Sequence, residues 1–171
     1  MNYKFIDLFA GIGGFRQGFE ALGWHFIGRL QKNKINKLIE INPFLIHSID
    51  SLELALAIEQ RLAQKNVQCR ALLQINSANE EQKTGVSIEE AKDIYSQILK
   101  QCPHITLKGV MSIGAIEAQY TQKSFEATYS IYETLPHATI CSMGMSGDYE
   151  LAIRCGSNLV RVGSALFEGE A

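Results

Sequence analysis

Few residues in this chain announce special chemistry, and each scarcity removes a class of function. The four cysteines, Cys69, Cys102, Cys141 and Cys155, include no C-x-x-C pair. That spacing excludes zinc ribbons and thioredoxin-type motifs and leaves reduced, structural thiols as the expectation. Charge of one sign is missing too, since 16 basic residues face 18 acidic ones for a net charge of −2. Without a basic field, no nucleic-acid partner is expected. No apolar run approaches the roughly 18 residues of a membrane span. The start, MNYKFIDLFAG, has no basic stretch followed by an apolar core and a cleavage site. The expected compartment is therefore the cytoplasm, with no membrane partner.

What is present is an alternation of two textures. Short β-rich runs fall at residues 4–9, 24–27, 44–49, 70–75, 106–113, 138–142 and 158–162. Most are almost wholly apolar, as strands covered on both faces require. Between them lie stretches with apolar residues three and four apart, at 52–62, 88–99, 121–135 and 149–155. Ser87 followed by Glu90 reads as a capping box at the start of one of these helices. Pro43, Pro103 and Pro136 each precede a predicted strand, where a helix has to stop. Strand alternating with helix predicts a parallel α/β sheet. Seven candidate strands fall one short of a closed (β/α) barrel, with a doubly wound open sheet as the competitor.

The strongest chemical signal lies late. CSMGMSGD, at 141–148, ends a strand and opens a helix, and the next strand reads Val160, Arg161, Val162, Gly163, Ser164. In barrels, the loops after the last two strands frequently bind phosphate. Small residues with free N–H groups and serine hydroxyls suit a dianion. Ordinary helix capping by Ser146 or Asp148 explains the same residues equally well. Arg161 sits among apolar neighbours and needs a partner there, either a ligand or Asp148 or Glu150. His25 and His47 lie within predicted strands and are expected to be satisfied structural groups. His104 and His137 follow prolines and are expected to be exposed.

The opening follows a different pattern. FIDLFAGIGGF, at 5–15, is a strand, a glycine-rich turn and a helix start. It resembles the first motif of the DNA cytosine-5 methyltransferases, whose loop holds S-adenosylmethionine. The likeness ends near residue 23. The residues after the three prolines are Phe44, His104 and His137, so the Pro-Cys nucleophile of that family is missing.

From Trp24 onward six motifs follow in order. They are WHFIGRLQKNK (24–34), HSIDS (47–51), LLQIN with KTG (72–76, 83–85), LKGVMSIG (107–114), SMGMSGDYELAI (142–153) and NLVRVGSALFEG (158–169). Together they resemble the pyridoxal-phosphate homeostasis proteins, which are similar to the barrel domain of alanine racemase. The resemblance implies a cofactor carrier or regulator, not an enzyme, that binds pyridoxal 5′-phosphate. It implies that Met145, Ser146, Gly147, Gly163 and Ser164 surround the phosphate end and that Arg161 faces the pyridine nitrogen. It also places the family's Schiff-base lysine on a strand ahead of the matched segment, so binding without a covalent bond is expected. Lys4 would point to the wrong end of a barrel, and Lys32, Lys34 and Lys37 read as a solvated helix.

The resulting expectation is an incomplete TIM-type (β/α) barrel of about seven parallel strands. Residues 1–23 form a methyltransferase-like βα unit, and 24–171 form the cofactor-binding barrel. The chain is expected to be a monomer, prone to aggregate through open strand edges. Two other readings stand beside it: a methyltransferase fragment that binds S-adenosylmethionine, and a fusion product with neither activity.

Overall fold

The structure, a computed structural model, describes residues 23–163. The elements run β1 (His25–Phe26), α1 (Ile35–Ile41, entered through a 3-10 turn at Lys32–Lys34), β2 (Leu45–Ile49) and α2 (Leu52–Lys65). They continue with β3 (Cys69–Ile75), α3 (Ile88–Gln101), β4 (Ile105–Ser112) and α4 (Ala118–Tyr132). β5 (Ile140–Met145), α5 (Tyr149–Arg154) and β6 (Leu159–Arg161) complete the set. All six strands pair in parallel in chain order, β1-β2-β3-β4-β5-β6. This is barrel connectivity and not the reversed order of a doubly wound sheet. The strand expected at 4–9 lies outside the described residues.

The sheet is curled. His47 on β2 hydrogen-bonds Ser142 on β5, three strands away, so the inner faces of the two ends meet. Among the described residues β1 and β6 do not pair with each other, and the curl stays open.

Local chemistry sets the helix ends. Ser51 caps α2 by accepting from the Leu54 N–H at 3.2 Å. Ser87 caps α3 through the Glu90 N–H at 3.2 Å, and its hydroxyl donates to the Glu90 carboxylate at 2.8 Å. Asn42 and Asn66 end α1 and α2 in the left-handed region, each at φ 51°. α1 was not among the helices read from the sequence. It has seven residues, burying Ile35 and Leu38 before the Asn42-Pro43 stop. α4 starts three residues earlier than expected because its first turn, Ala118 to Tyr120, is exposed and carries no apolar period.

The outer face of the sheet carries the main core. Ile46, Ala71, Leu73, Val110 and Met143 pack with Ile58, Tyr95, Ile98 and Phe125 from the helices. Burying each large side chain contributes about 1.5–3 kcal/mol. The inner face has two layers. The lower is apolar, with Leu45, Leu72 and Met111 buried against Ile140 and Leu159. Two residues further along the same strands, on the same face, stand His47, Gln74, Ile113, Ser142 and Arg161. Gly109, at φ 140°, lets β4 approach β5: a Cβ there would lie 1.9 Å from the Ile140 carbonyl oxygen.

Candidate functional site

In a parallel sheet all carboxyl ends lie on one side, and the residues singled out late in the sequence converge there. Met145 ends β5 and pairs in register with Arg161, the last residue of β6. The turn Ser146–Gly147–Asp148 follows β5, and Gly163 lies two residues past β6. The Gly163 N–H donates to Ser146 Oγ at 3.1 Å, which ties the two loops together. Ser146 is half-buried, whereas Met145 and Gly147 are exposed. No described residue lies within 4 Å of where a Cβ on Gly147 would sit. Ser164 lies outside the described residues.

The capping alternative fails. Asp148 is the N-cap of α5, yet its side chain makes no capping bond. Its carboxylate instead accepts from the Met145 N–H at 2.6 Å and tightens the turn. Ser146 accepts from β6, not from the helix.

Arg161 is buried and meets neither acidic partner expected for it. Its Nη1 donates to the Ser142 carbonyl at 2.9 Å and to Ser142 Oγ at 2.7 Å. Its Nη2 donates to the Ser112 carbonyl at 2.8 Å. A guanidinium has five N–H donors. These three bonds leave Nε–H and one Nη2–H without a partner among the described residues. Burial pushes the Arg161 pKa down to about 10, with the Asp148 charge opposing, so the side chain stays cationic at neutral pH.

The two strand histidines face inward. His25 Nδ1 lies 3.0 Å from His47 Nε2, and His47 Nδ1 lies 3.2 Å from Ser142 Oγ. The His25 ring also stacks on Phe44, with centroids 5.4 Å apart. Burial holds His47 well below the usual histidine value, and the charge of Arg161 pushes the same way. Ser112 faces outward, where Thr128 of α4 donates to its hydroxyl at 2.9 Å. Ser142 and the Ser112 carbonyl are the site components that sequence reasoning missed. A serine two residues after an apolar inner-face residue was the available signal for Ser142. The Ser112 carbonyl left none, because any residue supplies one.

The other histidines divide. His137 is exposed, as expected. His104 is half-buried instead, with Nδ1 2.6 Å from the Glu59 carboxylate, because the loop before β4 folds against α2. Lys32, Lys34 and Lys37 are exposed, and Lys32 pairs with Glu53.

At the same end of the sheet, a cavity of about 230 Å³ is lined by Arg29, Gln74, Asn76, Lys83 and Ile113, among others. Its loop wall is held in place. Gln74 Nε2 donates to the Thr84 carbonyl at 2.8 Å, and Asn76 Nδ2 donates to the Glu80 carbonyl at 2.9 Å. Lys83 pairs with Glu80 at 2.6 Å and donates to the Gly114 carbonyl. No described helix is long and apolar enough to cross a membrane. No described group of His, Cys, Asp or Glu is placed to hold a metal.

A curled parallel sheet with its polar residues gathered at the carboxyl end defines a (β/α)-barrel domain with a small-molecule site. Residues 17–170 match the family model described as alanine racemase, N-terminal domain. The pyridoxal phosphate homeostasis protein of Helicobacter pylori is 53% identical over 149 residues, covering 86% of this chain and 67% of that protein. Its counterpart in Escherichia coli K12 is 34% identical over 157 residues, covering 88% of this chain and 66% of that protein. Among solved structures, PipY of Synechococcus elongatus with PLP bound aligns at a TM-score of 0.73 and 30% identity. That alignment covers 84% of this chain and 69% of PipY.

The chain belongs to the alanine racemase N-terminal domain family and, within it, to the pyridoxal phosphate homeostasis proteins. It spans about two thirds of the length of these curated relatives. The resemblance carried by the six motifs is thereby borne out. The methyltransferase reading finds no support in these comparisons, and the glycine-rich stretch behind it lies outside the described residues.

Proposed function

We propose that this chain binds pyridoxal 5′-phosphate without a covalent bond to lysine and works as a cytoplasmic carrier or regulator of that cofactor, not as a catalyst. The observation that carries the reading is a pairing of two donor sets at one end of the sheet. Arg161 has two N–H groups without a partner among the described residues. Ser146 and the Gly163 N–H face each other at the phosphate end. The names of the relatives, and a PLP-bound PipY of the same fold, point to the same ligand.

The residues fit the cofactor's chemistry. The Ser146 hydroxyl, the Gly163 N–H and Ser164 hold the phosphate. Gly147 leaves room beside it because no side chain of the described residues intrudes, and Met145 flanks the site. Arg161, cationic and pinned, faces the pyridine nitrogen. When bound, the cofactor supplies a reactive aldehyde on an electron-withdrawing ring. An arginine at the ring nitrogen keeps that nitrogen unprotonated and weakens the ring as an electron sink, which suits storage over catalysis. In this reading residues 24–171 are the cofactor-binding part of the chain, and the chain acts as an aggregation-prone monomer.

The test is titration with pyridoxal 5′-phosphate, followed by calorimetry and absorbance, then borohydride treatment and peptide mapping. One-to-one binding with no single trapped lysine is expected. A stoichiometrically trapped lysine would overturn the non-covalent mode, and absence of binding would overturn the function. Parallel calorimetry with S-adenosylmethionine should show no heat.

A further inference from the structure

The chain of buried polar groups behind Arg161 has a direction, and hydrogen-bond valence settles it. Arginine can only donate, so Ser142 Oγ accepts from Arg161 Nη1 at 2.7 Å. The single proton of that hydroxyl has one remaining partner among the described residues, His47 Nδ1 at 3.2 Å. Leaving a buried hydroxyl proton unpaired is costly, so Ser142 donates and His47 Nδ1 accepts. A neutral imidazole with an acceptor at Nδ1 carries its proton on Nε2. His47 Nε2 then donates to His25 Nδ1 at 3.0 Å, and His25 in turn carries its own proton on Nε2.

We infer that Ser142, His47 and His25 are positioning residues for Arg161, joined in a one-way chain that runs from the guanidinium across the curled sheet to β1. This rests on the reading that Arg161 faces the cofactor. Both protons of Nη1 are committed to Ser142, and one of Nη2 is committed to Ser112. The guanidinium plane is therefore fixed by β4 and β5. The two N–H groups that have no partner among the described residues are presented to the ligand, while the charged donor polarises each bond behind it. The same chain links β6 and β5 to β2 and β1, so the curl of the sheet and the aim of Arg161 are held by one set of bonds.

The test has two arms. Nitrogen-15 NMR of the imidazoles, with no cofactor added, should show His47 and His25 both protonated on Nε2. A proton on His47 Nδ1 would overturn the chain. In the second arm, Ser142→Ala should retain its far-ultraviolet circular dichroism and a cooperative melt. It should bind pyridoxal 5′-phosphate about tenfold more weakly, with a shifted absorbance maximum for the bound form, and Ser142→Thr should restore both. His47→Phe, which leaves the Arg161–Ser142 bond in place, should show a smaller shift in the same direction. Unchanged affinity and spectrum in both variants would overturn the positioning role. Failure of the unaltered chain to bind the cofactor would overturn the site reading and the positioning role with it. The expected tautomers would in that case still uphold the chain, so the two failures are distinguishable.

Discussion

The two layers on the inner face of the sheet differ by only two residues along each strand, yet they obey opposite rules. The lower layer, Leu45, Leu72 and Met111 with Ile140 and Leu159, contains no side-chain hydrogen-bonding group. Its cohesion is non-directional and follows buried area. The polar members of the upper layer, His47, Gln74, Ser142 and Arg161, are as well buried but held by bonds of set length and direction, beside the exposed Ile113. The lower layer therefore carries stability, and the upper one carries geometry. A barrel floor can lose shape complementarity and still be a floor, whereas a polar layer that loses one partner strands another.

Substitutions can break or sharpen this contrast. The largest effect is expected in the lower layer. Leu72→Ala should cost about 2–5 kcal/mol in urea denaturation, from lost burial and the cavity left behind. The cofactor affinity of the fraction that stays folded should be unchanged. A tenfold loss of affinity would erase the distinction between the layers.

Arg161→Met should do the reverse. An apolar side chain of similar volume replaces a buried charge, so stability should change by less than in Leu72→Ala. Cofactor affinity should fall at least tenfold, because hydrogen bonds from a charged donor are worth about 1.5–3 kcal/mol each. Calorimetry beside a thermal melt separates the two effects.

Acid should also select the upper layer. The folded chain holds His47 below the usual histidine value through burial and the Arg161 charge. As pH falls below about 6.5 the unfolded chain takes up a proton that the folded chain refuses. Stability should be complete above that pH and should drop by up to about 1.4 kcal/mol per pH unit below it, levelling once the folded His47 titrates. His47→Phe should flatten that slope in pH-dependent unfolding, and an unaltered slope would remove His47 as its source.

Smaller effects come from the rim. Ser146→Ala should weaken cofactor binding three- to tenfold, about 0.6–1.4 kcal/mol, with little change in melting temperature. Gly147→Ala, where the new methyl meets no described residue within 4 Å, should alter stability by less than about 0.5 kcal/mol. A clear loss of affinity in Gly147→Ala would mean that the ligand packs against that position.

Much of this molecule could be read directly from its residues. The β-rich runs and the helical periods at 52–62 and 88–99 became β2 to β6, α2 and α3 with small shifts at their ends. They were legible because burial on both faces leaves an unbroken apolar run, and because Ser51 and Ser87 cap by local chemistry. Helix α1 escaped notice because seven residues with two buried positions hold too little period to stand out. At the site, Arg161 was conspicuous as a charge among apolar neighbours. Its partners were not, since a main-chain carbonyl such as that of Ser112 carries no residue-type signature.

By itself the sequence determined the parallel α/β class, the family, and the gathering of small residues and one arginine after the last two strands. These follow from period, capping and motif, which act over a few residues. Tertiary structure alone decided that His25, His47, Ser142 and Arg161 form one chain, and that Ser146 reaches across to Gly163 instead of capping its own helix. The reason is geometric. His47 and Ser142 are 95 residues apart in the chain, and only the curl of the sheet brings their two strands face to face.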